Sequence, residues 1–145
     1  MAGVNRYGDI PGGITSEGTC RKFESACDRA ISKLSNLSQS YSDILTIVSQ
    51  TSSSLELIIS NNDSVKGNFE RNAYNDGQCE YISELATNST DLNNIKADLD
   101  RLIGELNTAV SEIGSLLNFC GERKDTWRNA ADFIHKQKEY EQSLI

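Results

Sequence analysis

The sequence is poor in the residues that carry chemistry. It has one histidine, His135, so a serine or cysteine triad is not readily assembled. Its four cysteines, Cys20, Cys27, Cys79 and Cys120, show no Cys-x-x-Cys spacing, and none is near His135 in sequence. That argues against a zinc or redox centre. No G-x-S-x-G, G-x-x-x-x-G-K-S/T, H-E-x-x-H or EF-hand pattern is present. Carboxylates such as Asp98, Asp100 and Glu105 are interspersed with Lys96 and Arg101, as on a solvated helix face. The chain therefore reads as no enzyme, with no cofactor, no metal and no small-molecule substrate.

Long apolar runs are absent as well. No stretch of 18 apolar residues exists, so no membrane span is expected. The first residues lack a charged segment followed by an apolar one, so no conventional signal peptide is visible. Either a cytoplasmic location or export by a route without such a signal is consistent with this. Clustered lysine and arginine are missing too. The net charge is -7, with the acidity in the second half, which disfavours nucleic acid and anionic membrane surfaces.

The only proline, Pro11, falls in Met1–Gly13 with four glycines and no apolar period, and this stretch reads as a flexible arm. After it the sequence becomes strongly periodic. Cys20, Phe23, Cys27, Ala30, Leu34, Leu37, Tyr41, Ile44, Val48, Thr51, Leu55 and Ile58 alternate at spacings of three and four. This is the inward seam of a heptad repeat and predicts one long helix over about 16–60. Thr15 or Ser16 is its candidate N-cap, with Glu17 in the first turn. Asn61, Asn62 and Asp63 open a turn region over 61–77 that includes Gly67 and Gly77. A second seam runs from Tyr81 through Leu85, Asn88, Leu92, Ile95, Leu99, Leu102, Leu106, Ala109, Ile113 and Leu116 to Cys120. It predicts a second helix over about 78–120. Residues 123–142 either continue that helix past Gly121 or form a third one. A connection of about 17 residues is too short to return along roughly 60 Å of helix, so the two helices should be antiparallel. The expected fold is all-α, a coiled-coil-like helical hairpin in a single domain, or a bundle on oligomerisation.

Between Leu34 and Val65 the first helix has no lysine or arginine and is rich in serine. Leu45, Ile47, Leu57 and Ile59 lie off its seam there. They predict a contact with another helix, from the C-terminal segment, a second copy or a different protein. The cysteines read as four reduced core thiols or, alternatively, as a set with a Cys20–Cys120 disulfide at the open end of the hairpin.

A small acidic chain of two long antiparallel helices joined by an Asn/Gly-rich turn resembles the WXG100-like proteins of type VII secretion. It is also similar to the helical partners of LXG toxins. The resemblance covers about residues 16–120 and is architectural. The turn carries Phe69-Glu-Arg-Asn-Ala-Tyr74 and Asn75-Asp-Gly77 without a Trp-x-Gly. Tyr140-Glu-Gln-Ser-Leu144 has leucine where a Y-x-x-x-D/E export signal has an acid. The resemblance implies a secreted partner or targeting chaperone that binds another helical protein side by side. The alternative is a structural homo-oligomeric coiled-coil component.

Overall fold

Ser16 opens the first helix as the sequence predicts. Its hydroxyl accepts a hydrogen bond from the Thr19 amide at 3.3 Å, and its carbonyl takes the Cys20 amide at 3.2 Å. Glu17 follows in the first turn, where a negative charge favours the helix dipole. A computed structural model describes residues 16–72 and 76–144, and for 76–79 the backbone alone. The Met1–Gly13 arm, Thr15, Tyr74 and the side chain of Cys79 lie outside the described residues, and Gly77 falls in the second helix.

Two helices account for nearly all of them: α1, Glu17–Asn72, and α2, Asp76–Ser143. They pack against each other as an all-α helical hairpin. α1 runs 12 residues beyond the predicted stop near 60. Asn61, Asn62 and Asp63 do not end it, and α2 takes up the polar groups of Asn62 and Asp63. Asn62 Nδ2 donates to the Leu85 carbonyl at 2.9 Å, and Asp63 Oδ1 accepts from Ser89 Oγ at 2.9 Å. The i,i+4 pair Lys66–Glu70, at 2.8 Å, supports the added turns. α2 likewise continues through Gly121. Residues 123–142 are the last turns of α2, not a third helix folded back onto α1.

The chain divides into two units, Met1–Gln39 with Ser111–Ile145, and Ser40–Val110. In Ser40–Val110 the partners of successive α1 residues fall as the α1 number rises: Ser52 meets Asp100, Glu56 meets Lys96, and Asp63 meets Ser89. The helices are therefore antiparallel. In the other unit Arg21 meets Asp132 and Asp28 meets Lys124, again antiparallel.

The inward stripe differs from the predicted seam at most of its alternate places, though Ala30 and Ala109 remain partly buried. In Ser40–Val110, Tyr41, Val48 and Leu55 face inward as expected, but Ile44, Thr51 and Ile58 are exposed. Leu45, Ser52 and Ile59, one residue later, take their places. The same displacement occurs on α2. Leu85, Leu92, Leu99 and Leu106 are covered, whereas Tyr81, Asn88, Ile95 and Leu102 are exposed and Ile82, Ser89, Lys96 and Ile103 are covered in their stead. Two helices hide only a narrow stripe of each other, and these helices carry apolar residues in three adjacent rows. Packing therefore leaves one row out. The rotation that is adopted puts small Ser52 in the interface and brings Lys96 to both Glu56 and Asp100, at 3.2 and 2.7 Å.

The unit of Met1–Gln39 and Ser111–Ile145 holds the most buried cluster. Cys20, Trp127, Ala130, Ala131 and Ile134 form it, with Cys27 packed alongside. Phe23 stacks obliquely on Trp127, 4.6 Å between ring centroids, and the Arg123 guanidinium lies 5.5 Å from the Trp127 ring. Around this cluster Arg21 pairs with Asp132 at 2.8 Å, and His135 approaches Glu17 at 3.1 Å.

Candidate interaction surface

Let the inward positions of the heptads be a and d, with Ser52 and Lys96 at a and Leu55 and Leu99 at d. In an antiparallel pair the g positions of both helices line one edge and the e positions the other. The e edge of Ser40–Val110 is polar and crossed by contacts. Glu56, Asp63 and Asp100 all sit at e, and each meets an a residue of the facing helix. Asp100 is held below the usual carboxylate range by the Lys96 ammonium and by the Ser52 hydroxyl. Lys96 is raised by hydrogen bonds to Asp100 and Glu56.

The g edge is the opposite in character. It carries Ile44, Ile58 and Val65 from α1 and Tyr81, Ile95 and Leu102 from α2, all exposed. Ile58 is 52% exposed and Ile95 50%, so these are not core residues seen at a glancing angle. That the two rows share one edge is shown by their contacts. Ile58 and Asn88 line a single open groove with Asn62, Asp91 and Leu92. Tyr81 packs its ring on Phe69 of α1, with centroids 5.8 Å apart. A second open depression runs along α2 over Ile95, Leu99 and Leu102, bounded by Asp98, Arg101 and Glu105. Arg101 is tied to Asp98 at 3.3 Å.

The four residues predicted to bind a partner separate into two pairs. Leu45 and Ile59 lie one heptad either side of buried Ser52 and are half-buried in the interface with α2. Ile47 and Leu57 are exposed, at 62% and 68%. Ile47 borders the g edge at position c, and Leu57 projects outward at f. The sequence pattern placed Ile44, Ile58, Val65, Tyr81, Ile95 and Leu102 elsewhere: five in the hidden seam, Val65 in the turn, and none on a free edge. The signal that could have found them is the presence of three adjacent apolar rows on each helix, more than one partner helix covers.

The threonines of this unit leave few free donors. Thr46 and Thr51 hydroxyls bond back to the Ser42 and Ile47 carbonyls, at 3.1 and 2.9 Å, and Thr87 and Thr90 do the same on α2. Of these, Thr51 lies at the g edge, and the α1 border of that edge, Ile47, Ser54, Asn61 and Asn68, carries no charge.

Cys20 and Cys120 are not placed alike. Cys20 is fully buried against the Trp127 cluster, and burial pushes its thiol up. Cys120 is instead the neighbour of Cys27, whose thiol is raised by burial and then by Cys120. All three are free thiols. A raised thiol pKa keeps sulfur protonated and poorly nucleophilic at neutral pH. Among the described residues, no group of three or more His, Cys, Asp or Glu side chains could hold a metal ion, and no helix is long and apolar enough to cross a membrane. Compared with protein-family models, with curated proteins and with solved structures, the chain matches none.

Proposed function

We propose that this chain is a non-catalytic helical protein–protein interaction module that docks another helical protein along the g edge of Ser40–Val110. One observation carries the reading: six large apolar side chains, three from each helix, lie exposed on one edge while the other edge is closed by polar contacts. Large apolar side chains gathered on one exposed edge, here with only Thr51 and Asn88 between them, mark association sites. Each side chain is about half covered already. Completing its burial contributes about 1 kcal/mol, half of the range for a whole apolar side chain. Six of them, with the matching stripe of a partner helix, supply the apolar burial that offsets the cost of association.

The architectural resemblance to WXG100-like proteins and to LXG-toxin partners extends the proposal. The partner is then a secreted effector, and this chain is its companion or targeting chaperone in type VII secretion. Co-expression with the products of neighbouring genes tests it. Retention of a helical partner by the wild-type chain, lost in Ile58→Lys/Leu102→Lys with helicity intact, is the expected result. Equal retention by both would show that the edge is not the docking surface.

A structural homo-oligomer is the second reading. The unit of Met1–Gln39 and Ser111–Ile145 favours it, with Phe23, Leu37, Leu116 and Phe119 exposed and acidic and basic residues in equal number. Sedimentation equilibrium separates the two. A concentration-independent oligomer of the chain alone supports the homo-oligomer.

A further inference from the structure

The whole net charge of the protein resides in one of its two units. Residues 40–110 contain eleven acidic and four basic side chains, which accounts for all of the -7; the remaining residues are balanced. Within residues 40–110 the acids are not scattered evenly around the apolar edge. Glu84, Asp91, Asp98 and Glu105 recur at intervals of seven on α2, each three residues after a g residue, and all four are exposed. They form the outer border of the edge on the α2 side. Asp91 lines the groove with Ile58, and Asp98 and Glu105 bound the depression over Ile95 and Leu102, with Arg101 beside them paired to Asp98 at 3.3 Å, so the border carries a net charge of -3. The corresponding border on α1 is Ile47, Ser54, Asn61 and Asn68, which carries no charge. The edge is therefore mainly apolar along its centre, with the polar Thr51 and Asn88 between the apolar residues, acidic on one side and neutral on the other.

We propose that this edge receives an amphipathic helix of a different protein whose apolar stripe is bordered by lysine or arginine. The inference rests on the interaction-module reading above and adds the chemistry of the partner. Apolar burial sets the partner's stripe against Ile58, Ile95 and Leu102. Its basic border then lies over the Glu84–Glu105 row, where opposite charges attract and fix register. A second copy is disfavoured at this edge, because it brings its own Glu84–Glu105 row and a net negative unit against an already acidic border, where like charges repel. From Tyr81 to Leu102 the row spans about 32 Å of helix, so a partner helix of about 24 residues covers it.

Three labelled synthetic peptides of 24 residues serve as probes with the full chain. One has a leucine stripe flanked by lysine, one the same stripe flanked by glutamate, and one the lysine composition with the leucines scrambled. Fluorescence anisotropy is read at 50 and 500 mM salt, alongside sedimentation of the chain alone. The lysine-flanked peptide should bind at least tenfold more tightly than either other, and less tightly at high salt. In Asp91→Asn/Asp98→Asn/Glu105→Gln the preference for lysine over glutamate should fall severalfold, with helicity unchanged by circular dichroism. In Ile58→Ser/Leu102→Ser both stripe peptides should bind weakly. Equal affinity for the lysine- and glutamate-flanked peptides overturns the charge selection while leaving the interaction module standing. Equal affinity for the scrambled peptide overturns stripe docking. A dimer that the lysine-flanked peptide fails to displace assigns the edge to a second copy and overturns the proposal. A monomer that binds none of the peptides overturns both the proposal and the interaction-module reading of this edge.

Discussion

Ser52 Oγ donates a hydrogen bond to Asp100 Oδ1 across the helix pair at 2.9 Å, and Asp100 in turn holds Lys96 at 2.7 Å. Lys96 also reaches Glu56 on α1. These contacts make a polar tie in a unit with few fully buried side chains. Asp100 is held below its ordinary range, so its contribution is present above the unfolded carboxylate pKa and is lost as pH falls through the lowered folded value. Lys96 is raised, so its contribution is present below the ordinary lysine range and is lost as pH rises through the raised value. Asp100→Asn should therefore melt below the wild type at pH 7, and the gap should close on acidification below the carboxylate range. Thermal melts followed by circular dichroism measure this. A gap that is constant with pH would mean that the carboxylate charge plays no part.

Trp127 anchors the other unit. It is buried against Cys20, Ala130, Ala131 and Ile134 and stacked on Phe23. Trp127→Ala should destabilise by about 3–5 kcal/mol, the usual cost of deleting a buried aromatic. Tyr140, 65% exposed near the end of α2, is the control; Tyr140→Ala should change stability by less than about 0.5 kcal/mol. Urea unfolding followed by far-ultraviolet circular dichroism compares them. Similar midpoints for both variants would remove Trp127 from the core.

Cys27, not Cys20, is the neighbour of Cys120. Cys20 lies one heptad away along α1, about 10 Å along the axis, which exceeds the reach of a disulfide from the same partner. With Cys79 replaced by serine, oxidation by copper phenanthroline in air should crosslink Cys27 to Cys120 within one chain when Cys20 is also serine. The Cys20/Cys120 chain, with Cys27 and Cys79 as serine, should keep its thiols. Mass spectrometry under non-reducing conditions reads the loss of two hydrogens. The reverse pattern would show that the helices pair in a different register.

Gly104 and Gly121 sit inside α2, and a methyl group built on either meets nothing within 4 Å. Gly104→Ala and Gly121→Ala should each stabilise the protein by roughly 0.5–1 kcal/mol, because alanine loses less backbone freedom in a helix. Calorimetric melting of the single and double variants tests this, with near-additive gains expected since the sites are far apart. A loss at Gly121 would mean that α2 breaks there.

The sequence by itself determined the two helices. Apolar residues spaced by three and four require a helix whatever covers them, and the interruption of that pattern after Ile58 and its return at Tyr81 require two. Their antiparallel pairing was legible too, since the connection is short. The ends were not: Asn61, Asn62 and Asp63 are turn formers by local chemistry, and the acceptor and donor that Leu85 and Ser89 offer to Asn62 and Asp63 come from residues distant in sequence. The inward stripe was half legible. Leu55, Leu99 and Leu106 face inward in any plausible rotation, but Ile44, Ile58, Ile95 and Leu102 are in or out depending on a turn of about 50° around each helix axis. With three apolar rows per helix, spacing alone scores those rotations nearly alike. The tertiary structure decides between them through contacts distant in sequence, Ser52 with Asp100 and Lys96 with Glu56, and by doing so it leaves an apolar row in the open.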